Sequence, residues 1–364
     1  MPSPRQLVAR YVLPRWRDFA IRWRRADGAM HLLVDDPPIL HVLYWTNRKD
    51  PLAFISPMQE VLRDHPLHII CSFSWDMDPP KAIDAVERVY SRRRKRFERH
   101  RIHYLACTPR QREQLIERGI SAVLCSNTAL VDEALYHPIP GVVKRHDAIY
   151  DARLSPFKRH QLAEKVGKLA LLTGPVSDSG DAPYAEEIRR RLAHAHWCNS
   201  PFEARYRSLE PEEVNRHLNE ARVGLCLSAI EGGMYASMQY LLAGLPVVST
   251  PSAGGRDQFY DPDYTAIVEP VSAAVAEGVR RMAACPVPPE EIRSRTLGRL
   301  REHRANLFDL VDRICREEGR PRQFADDWPR VLVDKLARYR LPFGPIVRRI
   351  RAADRGATGA ESET

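Results

Sequence analysis

The stretch Ala221–Gly255, ARVGLCLSAIEGGMYASMQYLLAGLPVVSTPSAGG, decides the predicted fold. VGLCLS is an apolar run typical of a buried parallel strand, and IEGG ends it with a carboxylate and two glycines. MYASMQYLLA predicts a helix that Gly244 ends at its C′ position. VVST then predicts a second buried strand, which a glycine turn at 252–255 follows. This order of elements predicts a parallel α/β sheet.

The polar chemistry of this stretch lies where the first strand meets the helix. In open α/β sheets, ligands bind outside the carboxyl ends of the strands, and a helix N-terminus there favours an anion. Gly232 and Gly233 let a ligand approach the backbone. Gln239 follows Glu231 by two turns of the predicted helix, so we expect both to face one ligand about 12 Å apart. The alternative is that Glu231 caps the helix and Gln239 is solvated.

SAIEGGMYASMQYLLAGLPVVSTPSAGG resembles the donor-site signature of retaining GT-B glycosyltransferases of family 4. That signature is a serine, Glu-Gly, a second acidic residue eight positions after the first, A-x-G-x-PVV and a glycine pair. The resemblance implies that Glu231 contacts the transferred sugar. Gln239 stands where the family has the carboxylate that binds the ribose. An amide can still bond a ribose diol, but without charge assistance.

A second match lies upstream, in AIYDARLSPFKRHQLA. It resembles the family's first donor-domain strand and its basic motif, which implies that Arg153 and Lys158 hold the diphosphate. Two cations on the loop after a buried strand can neutralise a departing pyrophosphate, although either alone could be a surface residue. The segment 126–138 resembles the family's inter-domain segment. The resemblance extends over about Ala106–Ala284.

The implied protein is a retaining glycosyltransferase of GT-B fold that needs neither metal nor cofactor. Its two Rossmann-like doubly wound domains would face each other across a cleft, with C-terminal helices crossing back. The donor would be a nucleoside-diphosphate sugar and the acceptor a carbohydrate or a lipid-linked hydroxyl. The predicted catalytic residues are Glu231, Arg153 and Lys158. The predicted donor-binding residues are Gly232, Gly233, Met234, Gln239, Ser252, Gly254, Gly255 and Gly174.

The composition is that of a globular protein with two domains. The 364 residues are 44% hydrophobic and 28% charged, and no apolar run is long enough to cross a bilayer. The N-terminus lacks the apolar core of a signal peptide, so we expect a cytoplasmic protein. The seven cysteines are scattered without metal-ligand spacing, which predicts neither disulfides nor a structural metal.

A net charge of +9 and a pI near 9.3 indicate an anionic partner, or else a genome composition that favours arginine. No motif for nucleic-acid binding is present. The open alternatives are nucleotide-sugars, phosphorylated acceptors and the anionic inner face of the cytoplasmic membrane. The densest basic run, SRRRKRFERHR (91–101), is predicted on a helix over about Lys81–His100 with Val86, Val89, Tyr90 and Phe97 as its buried stripe. It is either a solvated face or a phosphate or lipid contact near the acceptor.

The predicted organisation has five segments. They are an N-terminal helical extension (1–37), a reduced first domain on the acceptor side (38–142), a donor domain (143–286), C-terminal helices (287–351) and a disordered tail (352–364). One C-terminal helix is predicted at Glu290–Glu317 and another at Trp328–Tyr339. In the first domain, Asp76 and Asp78 of the loop WDMDPP are candidate acceptor ligands, although turn chemistry alone explains Asp before Pro.

Two other function classes stay open at this point. The first is a sugar-nucleotide-binding or scaffold protein of the same fold in a glycan assembly complex, because Gln239 replaces an acidic residue and the first domain is short. The second is a nucleic-acid-binding protein, which rests on charge alone and predicts salt-sensitive binding.

Overall fold

The protein is described here by a computed structural model that covers residues 30–44, 46, 49–176, 181–203, 205–332 and 342–360, the last seven as backbone only. The described residues form two compact units, each with its own β-sheet. One unit contains the residues up to Leu130 and those from Arg304 onward. The other is Val131–His303.

The sheet of the first unit has the strand order β1-β2-β3-β4-β5. Its strands are β1 (Met30–Val34), β2 (Ile39–Tyr44), β3 (Leu67–Phe73), β4 (His100–Ala106) and β5 (Ala122–Leu124). The helices between them are α1 (Ser56–Val61), α2 (Pro80–Arg96) and α3 (Pro109–Glu117). Strands β2, β3, β4 and β5 run parallel to one another, which confirms the predicted parallel α/β fold for this domain.

The prediction of an N-terminal helical extension is wrong for those of its residues that the structure describes. Met30–Val34 is a strand that pairs antiparallel with β2, because its apolar residues fit the buried edge of the sheet. The rest of that prediction, residues 1–29, lies outside the described part. The basic helix α2 ends at Arg96, four residues earlier than predicted, because His100 already begins β4.

The C-terminal helices are α8 (Pro289–Glu317), α9 (Phe324–Val331) and α10 (Phe343–Ala360). The first of them confirms the predicted helix, whereas α9 begins earlier than predicted and ends at Val331. The predicted disordered tail is wrong up to Ala360, because α10 is helical there. Phe343, Ile346, Val347 and Ile350 of α10 lie in the hydrophobic core of the first unit, so the chain does cross back.

The sheet of the second unit is entirely parallel and has the order β11-β10-β9-β6-β7-β8. Its strands are β6 (His146–Asp151), β7 (Leu169–Leu172), β8 (His196–Trp197), β9 (Ala221–Cys226), β10 (Val247–Ser249) and β11 (Thr265–Ile267). Its helices are α4 (Ala182–Arg191), α5 (Pro211–Asn219), α6 (Tyr235–Leu242) and α7 (Ser272–Ala283), followed by the start of α8. The two strands predicted within the stretch 221–255 are confirmed as β9 and β10. The order reverses direction between β6 and β9, which is the position where doubly wound sheets bind nucleotides.

Two glycines let the decisive stretch pack. A β-carbon at Gly224 in β9 would lie 2.4 Å from the ring of Tyr240, so only glycine allows α6 to approach this closely. Gly244 has a φ of +75° and ends α6 in a Schellman motif, in which the N–H of Leu245 donates to the carbonyl of Tyr240. Gly244 therefore occupies the predicted C′ position. This close packing fixes where the loop before α6 leaves the sheet.

Candidate functional site

Two predicted site residues of the second unit, Lys158 and Glu231, meet at the reversal between β6 and β9. Lys158 follows β6 and Glu231 follows β9, and the two strands are parallel neighbours. Their carboxyl ends therefore meet at one edge of the sheet. Lys158 Nζ and Glu231 Oε1 form an ion pair there, with side-chain exposures of 12% and 8%. The structure thus joins two motifs that the sequence separates by 73 residues.

Arg153 and Lys158 share an aromatic neighbour. Arg153 Cζ lies 5.2 Å and Lys158 Nζ 5.1 Å from the ring centroid of Phe157. Gly174 lies just after β7 beside them, and a β-carbon built there would be 4.0 Å from Arg153 Cβ. Gly174, Arg153 and Lys158 therefore lie at the same edge of the sheet.

Backbone hydrogen bonds join the loop after β9 to the loop after β10. The N–H of Glu231 donates to Ala253 O at 3.0 Å, and the N–H of Ala253 donates to Ala229 O at 3.0 Å. The N–H of Gly255 donates to Gly232 O at 3.1 Å. The backbone N–H of this predicted donor-binding residue is therefore already hydrogen-bonded within the protein. Gly254 has a φ of +91°, which permits this turn. The loop that carries Ser252 therefore braces the loop that carries Glu231.

Helix α6 begins at Tyr235, so Glu231 lies in the loop and not on the helix, contrary to the prediction that both Glu231 and Gln239 belong to one helix. Met234 is the N-cap residue and makes no side-chain cap hydrogen bond. Glu231 therefore does not cap the helix. Gln239 is 2% exposed, which is against the alternative that it is solvated.

Two arginines that the sequence analysis did not single out hold the strand ends in place. Buried Arg256 donates from Nη1 to Cys226 O at 3.1 Å and Ser228 O at 2.8 Å, and from Nη2 to Thr250 O at 2.5 Å. Arg159 donates from Nε to Leu227 O at 2.6 Å and from Nη2 to Thr250 Oγ1 at 2.7 Å. Arg256 directly follows the glycine pair and Arg159 directly follows Lys158. This adjacency to motif residues is the sequence signal that could have singled them out.

His160 is a structural residue. Its ring is 1% exposed, with Nδ1 lying 3.3 Å from Tyr184 Oη and Nε2 lying 3.3 Å from Ala152 O. Burial lowers the pKa of His160 to about 3, so the ring is neutral at physiological pH. A neutral, enclosed imidazole orders the loop after β6 that carries Arg153 and Lys158.

The two candidate acceptor ligands of the first unit make turn contacts. Asp76 Oδ1 accepts the N–H of Asp78 at 2.9 Å, and Asp78 Oδ1 accepts the Thr108 hydroxyl at 2.8 Å. Burial raises the pKa of Asp76, and the nearby Asp78 carboxylate adds to that shift. These bonds fit the alternative in which turn chemistry explains both residues.

The basic run of α2 lies at the amino-terminal edge of the first sheet, because β4 begins directly after the helix. Arg93 is buried and donates to Gln59 Oε1 at 2.5 Å and Asp50 Oδ2 at 2.8 Å. The flanking Arg92 and Arg94 are exposed. Val86, Val89 and Phe97 are buried as predicted, and Tyr90 is partly buried. Within α2, the run from residue 91 to Arg96 is therefore exposed apart from Arg93, so its other cations face solvent or an anionic partner.

The described part of the chain shows neither a cluster of metal ligands nor a membrane-spanning helix. There, no group of three or more His, Cys, Asp or Glu side chains could hold a metal ion. No described helix is both long and apolar enough to cross a bilayer. All seven cysteines are free thiols. A crevice of about 520 Å³ lies at the amino ends of β6 and β9, lined by Asp147, Lys165 and Arg222 among others, but none of the predicted donor residues line it.

The chain is similar in fold to solved structures at low sequence identity. No protein-family model and no curated protein matches it. HepE from Anabaena, solved with UDP and glucose, aligns with a TM-score of 0.52 and 15% identity over 74% of this chain and 77% of HepE. A sucrose-phosphate synthase from Thermosynechococcus elongatus aligns with a TM-score of 0.50 and 13% identity over 74% of this chain and 69% of that enzyme. Both are GT-B glycosyltransferases, and the chain has the GT-B fold.

Proposed function

We propose that this chain is a retaining, metal-independent glycosyltransferase that moves a sugar from a nucleoside-diphosphate sugar to an acceptor hydroxyl. The Lys158–Glu231 ion pair at the reversal between β6 and β9 carries the proposal. A cation suited to a phosphate and a carboxylate suited to sugar hydroxyls lie side by side where doubly wound sheets bind nucleotides. The GT-B fold shared with HepE and the sucrose-phosphate synthase supports the same assignment.

The leaving diphosphate needs positive charge as its bond to the sugar breaks. Lys158 and Arg153 supply two cations, and the uncapped N-terminus of α6 adds backbone N–H groups beyond Gly232 and Gly233. Glu231 orients the sugar and stabilises its developing positive charge. Gln239 bonds the ribose hydroxyls.

The transfer proceeds on one face of the sugar. The acceptor oxygen forms a bond to the anomeric carbon on the side from which the diphosphate leaves, so the configuration is retained. The acceptor proton passes to an oxygen of the leaving diphosphate, and no protein base is needed. This mechanism is implied by the resemblance of the Glu231 and Lys158 motifs to the family, and electrostatic stabilisation is the contribution of the protein.

The experiment is a transfer assay with UDP-, GDP-, ADP- and CMP-sugars, with released nucleotide as the readout. We expect nucleotide release with at least one donor and, in the NMR spectrum of the product, the donor's anomeric configuration. An inverted product would reject retention, and a strict requirement for a divalent cation would reject metal independence.

A second candidate function is a protein that binds a sugar-nucleotide in a glycan assembly complex without transferring the sugar. The observation that favours this function is Gln239, a buried neutral residue at the position where the family has the carboxylate that binds the ribose. Binding of a donor without nucleotide release, under every acceptor condition, would favour this function over transfer.

We further propose that the acceptor belongs to cell-surface polysaccharide or glycoconjugate synthesis, and that the protein works at the inner face of the cytoplasmic membrane. The exposed cations of α2, Arg92, Arg94 and Lys95, support contact with anionic lipid. Asp76 and Asp78 stay candidates for the acceptor, beside their turn contacts.

A further inference from the structure

Phe157 contacts both of the proposed diphosphate-binding cations. Arg153 Cζ and Lys158 Nζ lie 5.2 Å and 5.1 Å from its ring centroid. Both distances are within the roughly 6 Å over which an aromatic face attracts a cation. We propose that Phe157 is a positioning residue that holds these two charges in place for the donor diphosphate. The inference rests on the proposed function and adds a residue to its site.

The backbone of Phe157 is fixed from two sides. It lies in the short turn 156–158, and its carbonyl accepts the N–H of Ala229 at 3.3 Å. Ala229 lies two residues before Glu231. The carbonyl of the next residue, Lys158, accepts the Tyr150 hydroxyl at 2.6 Å. The ring of Phe157 therefore starts from a backbone tied to the segment that carries Glu231.

A support matters for these cations because ordering a long charged side chain costs conformational entropy. Arg153 is exposed, and within the described ranges no carboxylate forms an ion pair with it. Lys158 pairs with Glu231, but a diphosphate competes for the same ammonium. Two like charges also repel each other, and the negative face of the Phe157 ring offsets part of that repulsion. A ring that orders both cations before the ligand arrives reduces the entropy lost on binding.

The alternative is that Phe157 only fills space in the loop after β6. In that case its replacement would weaken folding and would weaken all nucleotide and nucleoside binding alike. A positioning role instead affects the phosphate-dependent part of the binding energy. The difference between a nucleoside diphosphate and its nucleoside isolates that part.

The experiment compares wild type, Phe157→Leu and Phe157→Tyr in the full chain. UDP, GDP and ADP are titrated calorimetrically, each beside uridine, guanosine or adenosine. We expect Phe157→Leu to bind the preferred diphosphate about three- to tenfold more weakly, the size of one or two partly desolvated cation–π contacts. Nucleoside binding should stay unchanged, and Phe157→Tyr should bind within about twofold of wild type because its ring face is retained.

Lys158→Ala separates the inference from the proposed function. If Phe157→Leu binds diphosphates like wild type while Lys158→Ala does not, the inference fails and the donor site stands. If neither variant changes diphosphate binding, both fail. Equal losses for diphosphate and nucleoside in Phe157→Leu also overturn the positioning role.

Fluorinated phenylalanines at position 157 test the ring's charge without changing its packing appreciably. Each added fluorine withdraws charge from the ring face. Diphosphate affinity should fall stepwise from phenylalanine through the difluoro to the pentafluoro analogue, while nucleoside affinity stays constant. A flat series would overturn the inference even if Phe157→Leu failed to fold.

Discussion

Lys158 and Glu231 form a largely buried ion pair across the reversal of the second sheet, with side-chain exposures of 12% and 8%. Each belongs to a loop whose backbone is hydrogen-bonded to its surroundings. The Glu231 carboxylate therefore pairs with the Lys158 ammonium, which is the cation that an incoming diphosphate would bind. A donor diphosphate that takes Lys158 leaves the Glu231 carboxylate free to accept bonds from sugar hydroxyls.

Glu231→Gln is expected to tighten the binding of a nucleoside diphosphate while it slows sugar transfer. The change removes a negative charge beside the diphosphate and releases Lys158, so the Kd should fall about three- to tenfold. Transfer should slow about a hundredfold because the sugar loses its charged partner. Calorimetry with UDP, GDP and ADP and the transfer assay give the two values.

Glu164→Gln is the matched control for that variant. Glu164 likewise pairs with a cation, Arg191, at 2.9 Å, but on the surface of the second unit. The Glu164→Gln substitution changes the net charge as Glu231→Gln does, and it should leave the Kd for the nucleoside diphosphate unchanged. Weaker diphosphate binding in Glu231→Gln would contradict competition for Lys158.

Gln239→Glu should change donor affinity in a pH-dependent way. Position 239 is 2% exposed, so burial raises the pKa of a carboxyl group placed there. Above that pKa the carboxylate accepts stronger bonds from the ribose diol, and donor affinity should exceed that of wild type. At lower pH the gain should vanish. Donor titrations from pH 6 to pH 9 measure this, and an unchanged affinity throughout would place Gln239 outside the site.

The stability of the protein should fall as the pH drops below about 6.5. Burial lowers the pKa of His160 to about 3, and the unfolded value is about 6.5. Between these values the unfolded chain binds a proton that the native state does not, so stability is complete above pH 6.5 and is lost toward pH 3. At pH 5 His160 should account for a loss on the order of 1–2 kcal/mol relative to pH 7.

His160→Gln should remove that part of the pH dependence, whatever its effect on stability at pH 7. Urea unfolding at pH 7, 6 and 5 gives the slope. His194→Gln, at an exposed histidine of the same unit, should keep the wild-type slope. An unchanged slope in His160→Gln would mean that this ring is accessible to protons in the native state.

Anionic vesicles test the basic face of α2. Reversal of Arg92, Arg94 and Lys95 to Glu should release the protein from anionic vesicles at low salt, because each cation near the surface contributes about 1 kcal/mol. Arg93 is left unchanged, since its buried guanidinium holds Gln59 and Asp50. Sedimentation with anionic and neutral vesicles is the measurement.

A charge-matched triple variant controls for net charge. Reversal of Lys168, Arg189 and Arg190, three exposed cations of the second unit, should leave vesicle binding in place. If wild type does not sediment with anionic vesicles at low salt, or if both triple variants are released equally, α2 does not face the membrane.

The strands and the site motifs were predictable because their signals are local. The apolar runs of β9 and β10 and the glycine stop at Gly244 lie within one stretch, and family spacing located Lys158 and Glu231. The strand β1 was missed because five residues after an arginine-rich segment give too short a pattern. The role of Arg256 depends on contacts between loops, and the role proposed for Phe157 depends on where its ring lies within one loop. Neither periodicity nor motif spacing encodes these contacts.

The most direct test of the donor site is a thermal-shift panel of UDP-, GDP-, ADP- and CMP-sugars on wild type, Lys158→Ala, Arg153→Ala and Lys165→Ala. A ligand at a hundred times its Kd stabilises the native state by about 2.7 kcal/mol. We predict that at least one donor raises the Tm of wild type and of Lys165→Ala, an exposed lysine away from the site. The same donor should bind Lys158→Ala and Arg153→Ala about a hundredfold more weakly and leave their Tm nearly unchanged. Equal shifts in all four proteins, or no shift with any donor, would contradict the donor site.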